Sequence, residues 1–261
     1  MSYLKLFKAA VSNSIKTTTV YPFHTVTMLI NVVLNIFVNI FFWIVLTESF
    51  GEIGFYSLNE ILVLNMLALL ADCFGGFFFG FRDMPYEISS GDYDKYLVMP
   101  KRDTVLLLLQ NIPIVYMLQQ CIVAAAGLAV LQWYYNLSFR FVNVILSLFA
   151  LLLGVIIMNL LYGILTFFSF IIERFEGLRE FIFSFQLTKN YPLKIFPKFI
   201  QIILTYVIPV SFISYYPAMI FLNKIENFNL IYLEIGLLII MCTIYEITHK
   251  LVLNKYSSNG G

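Results

Sequence analysis

Three asparagines at a strict four-residue spacing, Asn31, Asn35 and Asn39, stand in an otherwise apolar run. Residues four apart share one face of a helix, so their carboxamides form a polar stripe that begins one turn earlier at Thr27. Carboxamides exposed to lipid are costly, and the stripe should therefore face protein or water. Two interpretations stay open: hydrogen bonding to neighbouring helices, which we favour, or lining of a path through the membrane.

An acidic residue, Asp72, lies in a second apolar run. It is about 15 Å of helix rise from Arg82, which predicts a position near the middle of the bilayer. An ionised carboxylate there costs about 2.5–3.5 kcal/mol, so we expect Asp72 to be protonated, paired or water-facing. It is a candidate for function, and a structural hydrogen bond is the alternative. Gly76 and Gly80 follow it, and this pair of small residues predicts close approach of another helix.

The sequence lacks the motifs that catalysis or metal binding would need. It has no GxxxxGK[ST] nucleotide motif, no HExxH, no GxSxG and no Cys/His metal spacing. Its two histidines are His24 and His249, and Glu246 is predicted to pair with His249 structurally. We therefore predict no catalytic residue, no metal site and no cofactor in this chain. An intramembrane enzyme built from scattered acids is the alternative left open.

The composition places these residues in a membrane. The chain is 61% hydrophobic and 12% charged, which leaves too little polar surface for a soluble domain of this size. The apolar runs predict an all-α polytopic membrane protein, with residues 1–261 forming a single transmembrane domain of six helices, each able to cross about 30 Å of hydrocarbon. These spans are predicted at about 23–47, 58–81, 104–131, 141–172, 195–222 and 229–253.

The basic residues predict an orientation for these spans. Fourteen of the sixteen Lys and Arg residues fall on one side of the membrane, and only Arg140 and Lys224 fall on the other. Because basic loops are retained in the cytoplasm, both termini are predicted to be cytoplasmic. The net charge of +1 gives no argument for a nucleic-acid partner.

Two amphipathic segments on the cytoplasmic side predict helices that lie along the membrane surface. In the N-terminal arm, residues 1–22, one helical face collects Leu4, Phe7, Val11 and Ile15. This pattern predicts an in-plane helix, with a plain basic anchor arm as the alternative. Residues 173–187 repeat the pattern and predict a second interfacial helix.

The 82–103 loop between the second and third spans has the strongest pattern of caps and stops. Asp83 is predicted to cap a short helix that begins near Pro85 and stops at Gly91. A second turn is predicted at 92–97, and Asp103 is predicted to cap the third span. The pattern favours a rigid element offered to a partner, with a solvated connector as the alternative.

Prolines concentrate around the fifth span. Proline removes a backbone hydrogen bond from a helix, and broken helices at membrane depth persist only beside protein or water. The outer half of this span is therefore predicted to be kinked or re-entrant and to border a cavity or an interface. The prolines are Pro192, Pro197, Pro209 and Pro217. The candidate pathway or interface residues of the whole chain are Asn31, Asn35, Asn39, Asp72, Pro209, Phe212 and Pro217.

Two segments resemble a known family. The first, Ile88-Ser-Ser-Gly91-Asp-Tyr-Asp94-Lys-Tyr-Leu97-Val-Met-Pro100, resembles the I-x-x-G-x-x-D-x-x-L-x-x-P signature after the second span of type-two ABC export permeases. The second runs from Tyr191-Pro192 through Ile208-Pro209-Val210-Ser211-Phe212 to Tyr216-Pro217-Ala218. It is similar to the proline-rich fifth span of one bacterial branch of these permeases.

The resemblance implies the membrane subunit of an ATP-driven exporter, multi-pass in the inner (cytoplasmic) membrane of a bacterium. Two permease subunits, identical or related, would pair within the membrane lipid. Each would dock on an ABC ATPase subunit, which binds the ATP and Mg²⁺. The 83–97 segment would be the coupling helix, and the ATPase-coupling residues would be Pro85, Glu87, Ile88, Gly91, Asp94, Leu97 and Pro100.

Export of a lipid, a peptide or a hydrophobic drug is the function that these observations favour, because the predicted path is apolar and has few fixed charges. Two alternatives stay open. One is a membrane scaffold or immunity protein that transports nothing. The other is a secondary transporter driven by protons through Asp72, which the lack of an evident inverted repeat weakens.

Overall fold

The structure, a computed structural model, describes residues 3–110, 112–168, 180, 183–225 and 228–254. These residues are helical, and apart from one isolated bridge between Ile53 and Tyr56 they form no strand. Among them, five helices are long and apolar enough to cross a membrane, or six if one bent pair is a single span. The prediction of an all-α polytopic membrane protein is thus confirmed. The helices are α1 Tyr3–Val20, α2 Pro22–Phe50, α3 Leu58–Gly75, α4 Gly80–Ser89, α5 Asp94–Leu97, α6 Asp103–Gln110, α7 Ile114–Tyr135, α8 Phe141–Phe167, α9 Lys198–Ile202, α10 Tyr215–Phe221 and α11 Phe228–Leu253.

The long helices define two ends of a bundle. We call one the loop end, where α1, α4, α5 and α6 pack together beside the start of α7. The other is the far end, formed by residues 51–57, 136–140 and 222–225, which join or flank the opposite ends of the long helices. Helix α3 lies at the centre, packed on α7 and α8, whereas α2 leaves most of its apolar surface exposed. This loose seating of α2 leaves room for a cavity beside it.

The third predicted span is not one helix. The 104–131 stretch is divided into α6 and α7, and α7 begins at Ile114. Pro113 precedes α7; its ring removes a backbone donor and disfavours a helical conformation at Ile112. Helix α6 therefore belongs to the loop end and not to a membrane span.

The loop helix also differs from its prediction. Helix α4 begins at Gly80, continues the direction of α3 through a 3-10 turn at Gly76–Phe78, and contains Pro85 in its interior. Asp83 therefore does not start a separate helix. Gly80 permits α6 to pack closely against the start of α4, because a Cβ there would lie 2.8 Å from the Leu107 carbonyl oxygen of α6. The predicted stop at Gly91 is where the chain turns, with a φ of +79° that glycine adopts readily.

The predicted fifth span is a re-entrant segment. Lys194 Nζ lies 5.8 Å from the centroid of the Tyr56 ring, so the chain before this segment is already at the far end. The halves Lys198–Val207 and Val210–Phe221 are bent by 76° around Pro209, which lacks the amide hydrogen a continuous helix would need. After the second half, Asn223 accepts a hydrogen bond from Asn143 (3.0 Å), again at the far end.

This arrangement changes the predicted distribution of charge. Lys194 and Lys198 had been assigned to the side that carries the 82–103 loop, and they lie at the opposite end. Arg140, Lys194, Lys198 and Lys224 are the described basic residues that we place at the far end. Eight described basic residues still lie at the loop end: Lys5, Lys8, Lys16, Arg82, Lys95, Lys101, Arg102 and Lys250. The predicted interfacial helix at 173–187 lies largely outside the described residues.

Helix α1 packs on α6 and α7 at the loop end. Ser14 Oγ accepts a hydrogen bond from the Ile114 amide (3.0 Å), which fixes α1 to the first turn of α7. Leu4, Phe7 and Ile15 remain exposed on the side that the bundle does not cover. An apolar face left open beside the ends of membrane spans is the arrangement that an in-plane helix requires.

Candidate functional site

A cavity of about 370 Å³ lies between α2, α3, α7, α8 and residues 183–190, in the middle of the bundle. Its lining is unusually polar for a chain this apolar. Eight carboxamide side chains line it: Asn31, Asn35, Asn39, Asn65, Gln120, Asn159, Gln186 and Asn190. Charged side chains contribute Asp72, Arg82 and Lys189. The rest of the wall is aliphatic and aromatic.

The asparagine stripe of α2 faces this cavity. Asn35 Nδ2 donates to the Asn31 side-chain oxygen (2.6 Å) and to the Asn31 carbonyl oxygen (2.9 Å), so these hydrogen bonds stay within one helix. Asn39 Oδ1 is buried and has no hydrogen-bond partner in the described part of the chain. The interhelical hydrogen bonds that we favoured for this stripe are therefore not found among the described residues.

Asp72 is paired, one of the states expected from its sequence position. Its carboxylate contacts the ammonium group of Lys189 in an ion pair that bridges α3 and the 187–190 turn. The Lys189 backbone is held in turn by the Ser214 hydroxyl, which donates to the Lys189 carbonyl oxygen. The pair thus ties the re-entrant segment to α3 at the cavity wall.

Sequence reasoning missed two buried amides on the same wall. Asn65 and Gln120 are 7% and 4% exposed, and in each the side-chain oxygen has no partner among the described residues. A signal existed for Asn65, because it precedes Asp72 by seven residues and so shares its helical face. Gln120 had no such marker. The third span was predicted as one helix over 104–131, whereas α7 begins at Ile114, so the helical face that Gln120 occupies was not defined.

The proline-rich candidates do not join this cavity. Pro209, Phe212 and Pro217 are buried at the re-entrant segment, where the Ser147 hydroxyl of α8 donates to the Pro217 carbonyl oxygen (2.8 Å). Of this segment only Ile213 reaches the cavity lining. The candidate pathway residues therefore fall into two groups, a polar group at the cavity and an apolar group that packs behind it.

Residues 80–103 are a second candidate region. We call them the 80–103 loop, because the structure extends the predicted 82–103 loop to the start of α4 at Gly80. Its residues have different roles. Pro85 and Ile88 are buried and hold α4 against the bundle, whereas Leu97 and Pro100 are exposed. Glu87 accepts a hydrogen bond from the Tyr96 hydroxyl (3.2 Å), which links α4 to α5. Gly91 makes the turn between these helices, and Asp94 begins α5.

Several exposed apolar side chains of this loop were not singled out from the sequence. Val98, Tyr86 and Met99 are 82%, 72% and 48% exposed. Large apolar side chains at a solvated surface mark contact sites when they cluster on a rigid element. They escaped notice because the sequence signals of the loop were caps and turns, which describe backbone shape and not surface.

The loop end is fastened to α11 by two polar contacts. Asp103 Oδ2 lies 2.9 Å from His249 Nε2 and accepts a hydrogen bond from the Tyr93 hydroxyl (2.8 Å). Arg102 forms an ion pair with Glu246 (2.6 Å). The predicted pairing of Glu246 with His249 is therefore wrong, since each side chain turns to the 102–103 segment instead. Asp103 likewise starts α6 and does not cap a membrane span.

We expect the Asp103 contacts to make the stability of the loop end depend on pH. Burial opposes ionisation of this carboxyl, but the hydrogen bonds from His249 and Tyr93 outweigh it, so its pKa lies below the ordinary value of 3.8. A carboxyl with a lowered pKa contributes stability above its ordinary value and loses it as pH falls through the folded-state value. Asp103→Asn should therefore lower the thermal midpoint of the purified chain at pH 7, and the difference from the wild type should shrink below pH about 4. A difference that stays constant down to pH 3 would contradict this origin.

In the described residues no group of three or more His, Cys, Asp and Glu side chains is placed to hold a metal ion.

A search of curated proteins and a search of solved structures each found no match. A family model described as ABC-2 family transporter protein matches residues 33–260, which include the cavity lining apart from Asn31 and Val32 and the whole 80–103 loop. The match covers far more than half of the chain and agrees with the resemblance seen in two short motifs. The chain therefore belongs to the ABC-2 family of transporter proteins, whose members are the membrane permease subunits of ABC transporters and work with an ATPase subunit.

Proposed function

We propose that this chain is the membrane subunit of an ATP-driven exporter, in which a separate ABC ATPase binds ATP and Mg²⁺ and drives the transport of an amphipathic molecule such as a lipid, a peptide or a hydrophobic drug. Membership of the ABC-2 family across residues 33–260 is the observation that carries the proposal. Two permease subunits, identical or related, complete the complex in the cytoplasmic membrane of a bacterium.

The orientation that we propose puts the loop end in the cytoplasm. Eight described basic residues at this end against four at the far end support it, because basic segments are retained on the cytoplasmic side. With this orientation α1 lies in the inner headgroup plane and both termini are cytoplasmic. The Asn136–Arg140 turn and the tip of the far end then face the outside.

We propose that the 80–103 loop receives the force of the ATPase. The loop is built as a rigid unit, because two of its own tyrosines, Tyr93 and Tyr96, are buried. The Tyr93 hydroxyl donates a hydrogen bond to Asp103, and the Tyr96 hydroxyl donates one to Glu87. A rigid unit transmits displacement, and a partner can bias a conformation only by fitting one state better than another. Because α4 continues α3 with only a 3-10 turn between them, a push on α4 would move the helix that carries Asp72 and the cavity wall.

The exposed apolar side chains of the loop provide the first test. Val98→Glu changes a side chain that is 82% exposed, so the fold should tolerate it, yet it should weaken binding of the ATPase about tenfold or more. The measurement is co-purification of the chain with its ABC ATPase subunit, followed by titration of that ATPase against the permease in detergent. Asp94→Arg should have a similar effect by placing a positive charge at the start of α5.

A matched control is Phe55→Glu, since Phe55 is 84% exposed but lies at the far end. This variant should bind the ATPase as the wild type does. The proposed coupling role would be wrong if Val98→Glu and Asp94→Arg kept full affinity and full substrate-stimulated ATP hydrolysis. The proposed exporter itself would be wrong if the wild-type chain brought down no nucleotide-binding partner and functioned alone.

A further inference from the structure

The chemistry of the cavity points to a class of ligand. Each carboxamide offers donors on nitrogen and an acceptor on oxygen, so a wall of carboxamides can pair with hydroxyl or amide groups in either direction. Three of these oxygens, on Asn39, Asn65 and Gln120, are buried without a partner among the described residues. A buried unpaired acceptor is destabilising, so a wall with three of them is built to receive donors.

Each charged side chain of the cavity already contacts a neighbouring group. Asp72 and Lys189 pair with one another across the wall. The Arg82 guanidinium lies 4.9 Å from the Phe79 ring and 5.0 Å from the Phe183 ring, which hold it by cation–π contact at the loop end of the cavity. A charged ligand group would have to lose its water without a free counter-charge on the carboxamide wall, and that loss is expensive. The wall therefore favours an uncharged ligand group.

The same walls carry apolar side chains between the amides. Val32, Ile36 and Ile40 alternate with the asparagines of α2, and Met66 and Leu69 do the same beside Asn65 on α3. A volume of about 370 Å³ is near the lower limit of small-molecule sites, enough for one sugar ring or two amide units. A polar group of that size attached to an apolar remainder matches both kinds of surface.

We propose that this cavity binds the uncharged, hydrogen-bonding part of an amphiphile, a hydroxyl-rich or amide-rich headgroup, and that the carboxamides of α2 and α3 recognise it. The inference rests on the proposed exporter function, because it names the class of molecule that the permease selects. It refines the expectation of an apolar path with few fixed charges, because carboxamides make the wall polar without adding charge. A glycolipid or an acylated peptide would supply the same chemistry.

The test uses four probes that share an octyl chain and differ in the headgroup. Octyl glucoside and N-octanoylglycinamide are uncharged, octyl sulfate is anionic and octyltrimethylammonium is cationic. Each is titrated below its micellar concentration against the purified permease in phosphatidylcholine nanodiscs, and affinity is read from the rise in the thermal midpoint. We expect at least one uncharged probe to bind about tenfold more tightly than either charged probe.

Variants locate the binding. Asn35→Leu and Asn65→Leu should each weaken binding of the uncharged probes about three- to tenfold, the effect of losing one or two hydrogen bonds. Asn35 is exposed to the cavity, so its replacement should fold even if Asn65→Leu does not. The control is Asn143→Leu, which removes an amide of α8 at the far end that does not line the cavity and should leave the affinity unchanged.

The outcomes separate this proposal from the exporter function. Selective binding of octyl glucoside, of N-octanoylglycinamide or of both supports the proposal, and the first two outcomes identify a glycan or a peptide source. Equal or stronger binding of a charged probe overturns it, as does binding that neither cavity variant changes. Co-purification of the ATPase is measured on the same preparations, so a permease that retains its ATPase but lacks headgroup selectivity refutes the cavity proposal alone.

Discussion

Gly154→Ala should destabilise the protein by about 3 kcal/mol or more, although it adds a single methyl group. A Cβ on Gly154 would lie 2.1 Å from the Phe212 carbonyl oxygen and 2.4 Å from its carbonyl carbon. These are backbone atoms of the re-entrant segment, so no side-chain rotation can relieve the overlap. We expect the segment to be pushed away from α8, with a lower thermal midpoint and a displaced Ile213 at the cavity wall.

A second glycine provides the control for this prediction. Gly236 lies within α11, and a Cβ there would meet nothing within 4 Å. Gly236→Ala should therefore be neutral or stabilising by up to about 1 kcal/mol, since alanine favours a helix more than glycine does. If the two variants had the same thermal midpoint, the close contact between α8 and the re-entrant segment would be wrong.

The re-entrant segment shows what a local sequence pattern can predict and what it cannot. The four prolines predicted a kinked or re-entrant segment, but they could not decide between a bent span and a chain that enters and leaves at the same end. That outcome depends on contacts between residues distant in sequence, such as Lys194 with Tyr56 and Asn143 with Asn223. The periodicity of a sequence indicates which face of a helix is apolar. It does not indicate from which side of the membrane the helix enters.

Local signals succeeded where one residue decides the geometry. Gly91 was predicted as a stop, and its positive φ is the reason. Pro113 was the overlooked equivalent, because an uninterrupted apolar pattern around it concealed a helix boundary that a single missing amide hydrogen imposes.

The cavity shows the opposite limitation. The asparagine stripe and Asp72 were both recognised, yet each was interpreted on its own helix. Their meeting at one cavity, with Asn65, Gln120 and the residues at 183–190, is a property of helix packing that no single run of sequence contains.

The second large effect is expected at the ion pair between Asp72 and Lys189. Removing one partner of a buried pair leaves the other charge uncompensated, at a cost of about 3–5 kcal/mol when the remaining group is fully buried. The Lys189 side chain is 11% exposed and the Asp72 side chain is 40% exposed toward the polar cavity. Asp72→Leu should therefore destabilise the chain more than Lys189→Met does, because it leaves the less hydrated charge alone.

The double variant should recover part of the loss, since two apolar side chains of similar size can replace a buried pair at little cost. In a double-mutant cycle on thermal stability in detergent, we expect a coupling energy of about 2 kcal/mol. The exposed pair Arg102 and Glu246 serves as the control, and its cycle should give less than about 1 kcal/mol. Additive effects at Asp72 and Lys189 would mean that the pair does not hold the re-entrant segment to α3. A strong coupling would identify it as a contact that must break before this wall of the cavity can move, because it joins the 187–190 turn to α3, the helix that continues into the 80–103 loop.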